Sequence, residues 1–167
     1  MNVVFNPGPD TQATSGPALG DKLRSILADL RDEYTQSHDT PWIIGFSGGK
    51  DSTLLAQLVF EMLLALPPRL RARRVHVVAN DTLVESPVIA NHLQSVLDRI
   101  GGSVEALRVP VTVAKTVPET DHTFWVNLIG RGYPSPSRMF RWCTDRMKII
   151  PTTEYIQNQV NQSGQAI

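Results

Sequence analysis

The chain has 167 residues, of which 41% are hydrophobic and 19% charged, and its 16 basic residues balance its 16 acidic ones. This composition is typical of one globular domain and excludes a generally basic nucleic-acid-binding surface. The single cysteine excludes an internal disulfide framework and any zinc or iron–sulfur site built from several cysteines of this chain alone. With no membrane-spanning apolar run and no secretory signal pattern, a cytoplasmic protein is expected.

The first half of the chain predicts alternating helices and strands. Residues 1–18 are rich in proline, glycine and small polar residues, which predicts a flexible tail. Apolar residues recur at helical spacing over 19–34, and the short apolar run at 42–46 is typical of a buried strand. The stretch at 53–66 predicts a helix buried on more than one side. Four arginines within 69–74 are interpreted as a solvated turn.

The alternation continues through the middle of the chain. Residues 75–79 predict a second buried strand. Apolar residues from 89 to 100 mark another helix face, which Gly101-Gly102 is expected to end. A third strand is predicted at 104–109.

The remainder of the chain does not continue this alternation of helices and strands. Residues 110–140 contain four prolines and little periodicity, which predicts a long functional loop. A last helix is expected at 152–162. The order of elements predicts an α/β fold, with a parallel sheet and helices on both faces. Because the sequence stops where a further strand would begin, we expect that sheet to be truncated after three to four strands, with an exposed edge.

The turn after the first predicted strand, Ser47-Gly48-Gly49-Lys50-Asp51-Ser52, is the main chemical signal. Glycines let backbone N–H groups approach an anion closely, and the N-terminus of the next helix adds about half a positive charge. The serine hydroxyls and the Lys50 ammonium suit phosphate. A dinucleotide fingerprint would need a trio of glycines at another spacing, and a Walker A loop would need other residues than Ile44 and Asp51.

A nucleophile elbow, G-x-S-x-G, is matched literally by Gly45-Phe46-Ser47-Gly48-Gly49. It would make Ser47 a hydrolase nucleophile, with Asp81 and His122 as partners in the right chain order. The order of elements disfavours this interpretation, because in that fold several strands come before the strand that leads into the elbow, whereas only one helix comes before the strand that leads into this turn. The three residues after Gly49 would also have no role.

The six-residue turn resembles the pyrophosphate loop of the N-type ATP pyrophosphatase and PAPS-reductase superfamily, whose PP-loop fold is adenine nucleotide alpha hydrolase-like. The resemblance implies a set of residues that cradles the phosphates of ATP: Ser47, Gly48, Gly49, Lys50, Asp51 and Ser52. It implies that Lys50 and Asp51 are catalytic, and that Asp51 helps to hold Mg²⁺ or to orient the loop. Asp81 and Thr82, which end the second predicted strand, would lie near the adenosine.

Three further segments are similar to the DndC family, the ATP-pyrophosphatase-like subunits of bacterial DNA phosphorothioation systems: residues 80–87, 123–134 and 140–148. The similarity implies a PP-loop domain over 19–167, with 110–140 as a functional insertion. It also implies an activity, the ATP-dependent replacement of a non-bridging oxygen of the DNA backbone by sulfur. Adenylation would activate the phosphate and release pyrophosphate. Sulfur would come from a cysteine desulfurase by way of an iron–sulfur protein, among other phosphorothioation subunits.

The single cysteine has two interpretations. A lone cysteine in a soluble protein is usually a small buried apolar residue or inert. Within Arg-Trp-Cys-Thr, however, Cys143 resembles the first cluster-ligating cysteine of the DndC family. That implies a ligand of a 4Fe–4S cluster in a full-length protein, whose other ligands lie outside this chain, and a free thiol in this chain.

Residues 131–148, which we call the cationic segment, concentrate positive charge against Asp145 alone. The cations are Arg131, Arg138, Arg141, Arg146 and Lys148. Arginine forks suit phosphate oxygens, and the interleaved Tyr133, Phe140 and Trp142 can stack on bases, so nucleotide or DNA is the expected partner. The alternative is that these aromatic rings pack inward while the arginines stay solvated.

Several functional classes remain open at this point. A tRNA thiolation enzyme and a sulfonucleotide reductase are alternatives within the superfamily, although the reductase normally carries a catalytic cysteine near its C-terminus that is missing here. A truncated, non-catalytic module that binds a nucleotide or a partner subunit belongs to another class. ATP–pyrophosphate exchange separates that module from the enzymes.

Overall fold

The computed structural model describes residues 18–38 and 40–163. The predicted tail at 1–18 therefore lies outside the described residues, apart from Ala18. The helices are α1 (Leu19–Tyr34), α2 (Lys50–Ala65), α3 (Pro87–Leu107), α4 (Trp142–Thr144) and α5 (Ile150–Ser163). The strands are β1 (Trp42–Phe46), β2 (Val75–Asn80) and β3 (Val111–Thr116). Within the described ranges, no helix is both long and apolar enough to cross a membrane.

The three strands form one parallel sheet in the order β1-β2-β3. Trp42 of β1 is in register with Val75 of β2, which in turn is in register with Val111 of β3. Because the strands are parallel, their carboxyl ends lie at one edge, and the loops that follow β1 and β2 start there. The predicted α/β class with a parallel sheet is confirmed.

Helices contact both faces of this sheet. On one face, residues of the strands pack with α1, α2 and α3 into a continuous core that includes Trp42, Ile44, Phe46, Val59, Leu63, Val75, Val77, Ala79, Leu97 and Val111. Burying one such aliphatic side chain stabilises the fold by about 1.5–3 kcal/mol. On the other face, α5 lies against β2, where His76 Nδ1 is 2.8 Å from the hydroxyl of Tyr155.

Two predictions about the middle of the chain are wrong. The helix does not end at Gly101-Gly102, and the strand predicted at 104–109 falls mainly within the last turns of α3. Two helical glycines cost about 1 kcal/mol each relative to alanine, but Val104 continues the apolar face of α3 and packs against the core. The helix ends instead at Leu107, and the residue that caps it, Arg108, has a left-handed φ of 49°. The third strand, β3, occupies the start of the stretch predicted as a loop at 110–140.

The basic run at 69–74 is only partly solvated. Arg73 is 5% exposed, so the interpretation of this run as a solvated turn is wrong for that residue. Its guanidinium lies 5.6 Å from the ring centroid of Tyr34 and donates to the carbonyl of Gln36 at 3.3 Å. The Tyr34 hydroxyl in turn donates to the Arg73 carbonyl at 2.6 Å. These contacts fasten the end of α1 to the chain just before β2.

We expect the burial of His76, which contacts Tyr155 of α5, to make the stability of the fold depend on pH. His76 is 4% exposed, and its burial, together with the charge of Arg74, lowers its pKa. A histidine whose pKa is lowered by folding stabilises the native state above its unfolded pKa of about 6.5, and that stability is lost as the pH falls below this value. We expect the free energy of unfolding of the wild type to fall by up to about 1.4 kcal/mol per pH unit there.

Urea unfolding followed by circular dichroism between pH 7.5 and 5 measures this loss. The variant His76→Gln keeps a polar partner for Tyr155 but does not titrate, so its stability should decline less over the same range. His92→Gln is the matched control, because His92 is exposed on α3. Equal pH slopes for the wild type and His76→Gln would refute the role of this imidazole.

Candidate functional site

The glycine turn between β1 and α2 is closed by its own hydroxyl groups. Ser52 Oγ donates to the Gly49 carbonyl at 3.0 Å, and it lies 3.1 Å from Ser47 Oγ. The backbone N–H of Ser47 also donates to Ser52 Oγ, at 3.3 Å. These bonds bring the two serines that were predicted to bind phosphate side by side at the carboxyl end of β1.

Lys50 and Asp51 begin α2 at the mouth of this turn. Both side chains are 92% exposed, and Lys50 Nζ lies 3.8 Å from Asp51 Oδ1. A pair this exposed contributes little to stability, because water screens its attraction. Both charged groups therefore stand in solvent at the first residues of α2, where a ligand at the turn can reach them.

Gly48 is required by the backbone of the turn. Its φ is +73°, a left-handed conformation that side-chain-bearing residues rarely adopt. A Cβ atom at this position would also lie 3.3 Å from Leu93 Cδ1 of α3. The turn is thus seated on α3 as well as on the two elements that it connects.

The loop after β2 positions Asp81 and Thr82 differently. Asp81 Oδ1 accepts the backbone N–H of Leu83 at 3.0 Å, and Asp81 Oδ2 lies 3.4 Å from Lys115 Nζ. Thr82 is 2% exposed, and its hydroxyl donates to Glu85 Oε1 at 3.1 Å. Only the carboxylate of Asp81 reaches solvent, so its side chain, and not that of Thr82, is the one open to a ligand.

Lys115 is a site residue that the sequence did not reveal. It lies on β3 and donates to Gln94 Oε1 at 3.0 Å, besides pairing with Asp81. The sequence interpretation placed residues 111–116 in a loop, so it did not predict that they pair with β2. Once β3 is paired in parallel with β2, Lys115 stands opposite Ala79, next to the carboxyl end of β2.

Two cations of the cationic segment brace the chain around them. Arg131 forms an ion pair with Asp121, with Nη2 and Oδ2 at 3.1 Å, and also donates to the Asp121 carbonyl. Arg146 donates to the Tyr133 hydroxyl at 2.8 Å and lies over the Tyr133 ring, 5.3 Å from its centroid. To bind phosphate as predicted, Arg131 and Arg146 would have to give up these internal contacts. The side chain of Lys148 is exposed.

The aromatic residues of the same segment form a small internal cluster. Trp142 is 6% exposed, stacks on Phe124 with ring centroids 5.4 Å apart, and donates from Nε1 to the Pro134 carbonyl at 3.0 Å. Tyr133 meets the Trp142 ring edge-on. Trp142 cannot stack on a base in this arrangement, so that prediction is wrong for it. Phe140, at 46% exposure, is the aromatic residue of the segment with the most accessible ring.

Arg138, Arg141 and Cys143 line one cleft with Pro136 and Ser137, and its volume is about 540 Å³. Cys143 is half-buried and its thiol is free. Within 18–38 and 40–163, no cluster of three His, Cys, Asp or Glu side chains is arranged to hold a metal ion. The prediction of a 4Fe–4S ligand therefore depends on cysteines that this chain does not contain.

The alternative hydrolase triad is not assembled. Ser47 Oγ is next to Ser52 Oγ, and Asp81 is engaged by Lys115 and Leu83. No hydrogen bond between described residues joins His122 to either of them, and its Nδ1 is buried without a partner in the described part of the chain. The geometry thus gives the elbow interpretation no support.

No protein-family model matches the chain, and no curated protein matches it. Its fold defines it as an α/β protein with a three-stranded parallel sheet. Its candidate site is the carboxyl edge of that sheet, where the glycine turn and the loop after β2 begin.

Substitution of Gly48 tests whether the turn depends on its left-handed backbone. We expect Gly48→Ala to lower the free energy of unfolding by about 1–2 kcal/mol, because a Cβ atom is strained at this φ. The contact with Leu93 adds to that loss. Urea unfolding measures it.

Gly45→Ala is the matched control, since it adds the same methyl group in β1, two residues before the turn begins. A Cβ atom there would meet nothing within 4 Å, and alanine suits a strand better than glycine, so stability should not fall. Equal effects of the two substitutions would contradict a special requirement at Gly48.

Proposed function

We propose that the chain is a PP-loop domain of the N-type ATP pyrophosphatase and PAPS-reductase superfamily, and that residues 47–52 hold the phosphates of ATP. The observation that carries the proposal is the turn itself. At the carboxyl end of a parallel strand, Gly48 turns the backbone, the Ser47 and Ser52 hydroxyl groups lie side by side, and the exposed Lys50 begins the next helix. Open α/β sheets bind their ligands at this edge.

The residues around the turn supply distinct parts of such a site. Lys50 would neutralise charge that develops on the leaving pyrophosphate. Mg²⁺ is commonly held by one or two carboxylates together with substrate phosphates, and the exposed carboxylate of Asp51 fits that donor set. The partly exposed Asp81, beyond the end of β2, is the second acidic group at this edge of the sheet.

The proposed reaction is the sulfur transfer of DNA phosphorothioation. A non-bridging oxygen of a DNA phosphate would attack the α-phosphorus of ATP and displace pyrophosphate. Hydrosulfide, formed by two-electron reduction of persulfide sulfur on the supplying proteins, would then attack the DNA phosphorus, and the bond to the activated oxygen would break so that this oxygen leaves in AMP. The step is reasonable because a phosphodiester oxygen is a very poor leaving group until it carries AMP. The exposed cations Arg138, Arg141 and Lys148 support a phosphate-bearing partner, since arginine forks suit phosphate oxygens.

The sulfur supply belongs to other proteins in this proposal. A cysteine desulfurase would be the donor, acting through an iron–sulfur protein and in company with other phosphorothioation subunits. A 4Fe–4S cluster does not fit this chain alone, because Cys143 is its only cysteine. No step of the reaction is therefore assigned to a cluster held by these residues.

A non-catalytic module that binds nucleotide or a partner subunit is the second candidate. The observation that favours it is the same lone cysteine, because the other cluster ligands that the resemblance implies are not among the residues of this chain. The two candidates share the nucleotide loop and differ in turnover. They also differ from a tRNA thiolation enzyme, which would take RNA in place of DNA.

ATP–pyrophosphate exchange tests the catalytic proposal. We expect the wild type, given Mg²⁺ and a DNA oligonucleotide, to exchange labelled pyrophosphate into ATP. Lys50→Ala should lower the rate about 100-fold, the usual cost of removing one group that stabilises developing charge. Lys22→Ala is the matched control, because Lys22 is an exposed lysine on α1.

The outcomes separate the candidates. Exchange that survives Lys50→Ala removes the catalytic role of this loop. ATP binding without exchange in the wild type, measured by calorimetry, favours the binding module. Loss of both binding and exchange in Lys50→Ala, with normal behaviour of Lys22→Ala, supports the phosphate loop.

DNA binding by the cationic segment is tested through its salt dependence. Arg138→Ala and Arg141→Ala should each weaken DNA binding and reduce the slope of log affinity against log salt by about 1. Arg69→Ala is the control, because Arg69 is exposed on the 3₁₀ turn after α2. An unchanged affinity and slope in both test variants would show that these arginines do not contact DNA phosphates.

A further inference from the structure

The guanidinium groups of Arg138 and Arg141 have no internal partner among the described residues. The ion pairs found there involve other cations, and no hydrogen bond engages either side chain. Asp145, the acidic residue of the cationic segment, forms no ion pair with them in the described part of the chain. No group of the described residues therefore engages these two guanidinium groups, whereas Arg131 pairs with Asp121 and Arg146 is hydrogen-bonded to Tyr133.

The backbone that carries these two arginines is braced on both sides. The Ser137 N–H donates to the Phe140 carbonyl at 3.0 Å, and the Phe140 N–H donates back to the Ser137 carbonyl at 3.3 Å and to Ser137 Oγ at 3.1 Å. This reciprocal pair closes the turn in which Arg138 lies. Arg141 precedes the buried, hydrogen-bonded Trp142. A ligand would not have to order this backbone, which lowers the entropic cost of binding.

The two arginines line the same cleft as the thiol of Cys143. The cleft of about 540 Å³ is lined by Pro136, Ser137, Arg138, Arg141 and Cys143. Its volume exceeds what one phosphate group requires and falls within the usual range of small-ligand sites. Cys143 is the only thiol of the chain, and it is half-buried in the wall of this cleft.

We propose that the cleft between Arg138 and Arg141 is a binding site for a phosphate-type oxyanion, held against the thiol of Cys143. Two planar guanidinium forks match tetrahedral oxyanions through paired N–H···O bonds. The identity of the anion rests on the function proposed above: it is either a phosphodiester of DNA or a free phosphate or pyrophosphate. The existence of the site rests only on the free arginines and the cleft that they line.

Occupancy of this site controls access to Cys143. An anion between the two guanidinium groups covers part of the cleft that the thiol lines, and it cancels the positive potential around the sulfur. The thiol is then open to anionic reactants when the cleft is empty and shielded when it is filled. This gives Cys143 a role in this chain that does not require a metal cluster.

The alkylation rates of Cys143 by iodoacetate and iodoacetamide test the site, because both reagents form the same thioether bond but only iodoacetate is an anion. The ratio of the two rates cancels the intrinsic reactivity of the thiol and reports the local potential. We expect this ratio to be higher in the folded wild type than in the urea-unfolded chain. The single cysteine makes labelling specific, and mass spectrometry of the intact chain measures it.

Conservative variants assign the effect to the two arginines. Arg138→Gln and Arg141→Gln should each lower the rate ratio about threefold, the effect of removing one nearby unit charge in a water-exposed cleft. Arg69→Gln is the matched control and should leave the ratio unchanged, since Arg69 is exposed outside the cationic segment. Thermal unfolding confirms that the variants fold. An unchanged ratio in both test variants overturns the proposal.

Protection experiments then identify the anion. Inorganic phosphate, pyrophosphate or a short DNA oligonucleotide should slow iodoacetate alkylation of the wild type more than sodium chloride at the same ionic strength, and this protection should be lost in Arg138→Gln and Arg141→Gln. Protection by the oligonucleotide alone identifies a DNA phosphodiester, and protection by the free anions identifies a phosphate or pyrophosphate site. Protection no greater than that of sodium chloride overturns the proposal.

The same measurement in Lys50→Ala separates this site from the proposed ATP loop. Protection that persists in Lys50→Ala, while ATP–pyrophosphate exchange is lost, supports two distinct anion sites. Protection that is lost in Lys50→Ala but retained in Arg138→Gln and Arg141→Gln assigns the anion to the glycine turn and overturns the cleft site. Failure of exchange in the wild type leaves the protection result interpretable, because alkylation needs no ATP.

Discussion

The side-chain amide of Asn80 connects the parts of the molecule on which the candidate sites depend. Its nitrogen donates to Thr116 Oγ1 at the end of β3 and to Thr152 Oγ1 in α5, both at 2.7 Å, and lies 3.4 Å from the carbonyl of Lys148. One polar group at the end of the central strand thus fixes the neighbouring strand and the start of α5. Because this amide is partly buried, a lost partner would leave an unsatisfied donor, which typically costs about 1–3 kcal/mol. The cationic segment leads into α5, so this contact also sets where that segment meets the sheet.

The structure separates the predicted arginines into two pairs that differ in their contacts. Arg131 and Arg146 form internal contacts with Asp121 and Tyr133, and those contacts hold the loop between β3 and α4 together. The ring of Trp142 completes the same framework from inside. Arg138 and Arg141 stand on this framework without partners in the described part of the chain. Charge count alone would treat all four arginines alike, whereas the structure gives two of them internal contacts and leaves the other two without a partner among the described residues.

Two anion sites of different character are therefore proposed for one domain. The glycine turn offers hydroxyl groups, an exposed lysine and a carboxylate, a combination that suits a polyphosphate with Mg²⁺. The cleft in the cationic segment offers guanidinium groups and a thiol, which suits a single oxyanion next to a sulfur atom. The two sites share no residue, so a substitution can remove one site and leave the side chains of the other unchanged.

The sequence by itself determined the strong local patterns: α1, β1, the glycine turn and β2, whose apolar runs and turn residues allow few alternatives. It did not determine where α3 ends, because Gly101-Gly102 has the composition of a helix end and only packing of Val104 on the core carries the helix past it. That extension shifts the third strand to Val111–Thr116, and with it the position of Lys115. Tertiary contacts likewise decided that Thr82 is buried, and which of the arginines have internal partners. Local sequence specifies which groups are available for chemistry, whereas solvent access and partners depend on residues distant in the chain.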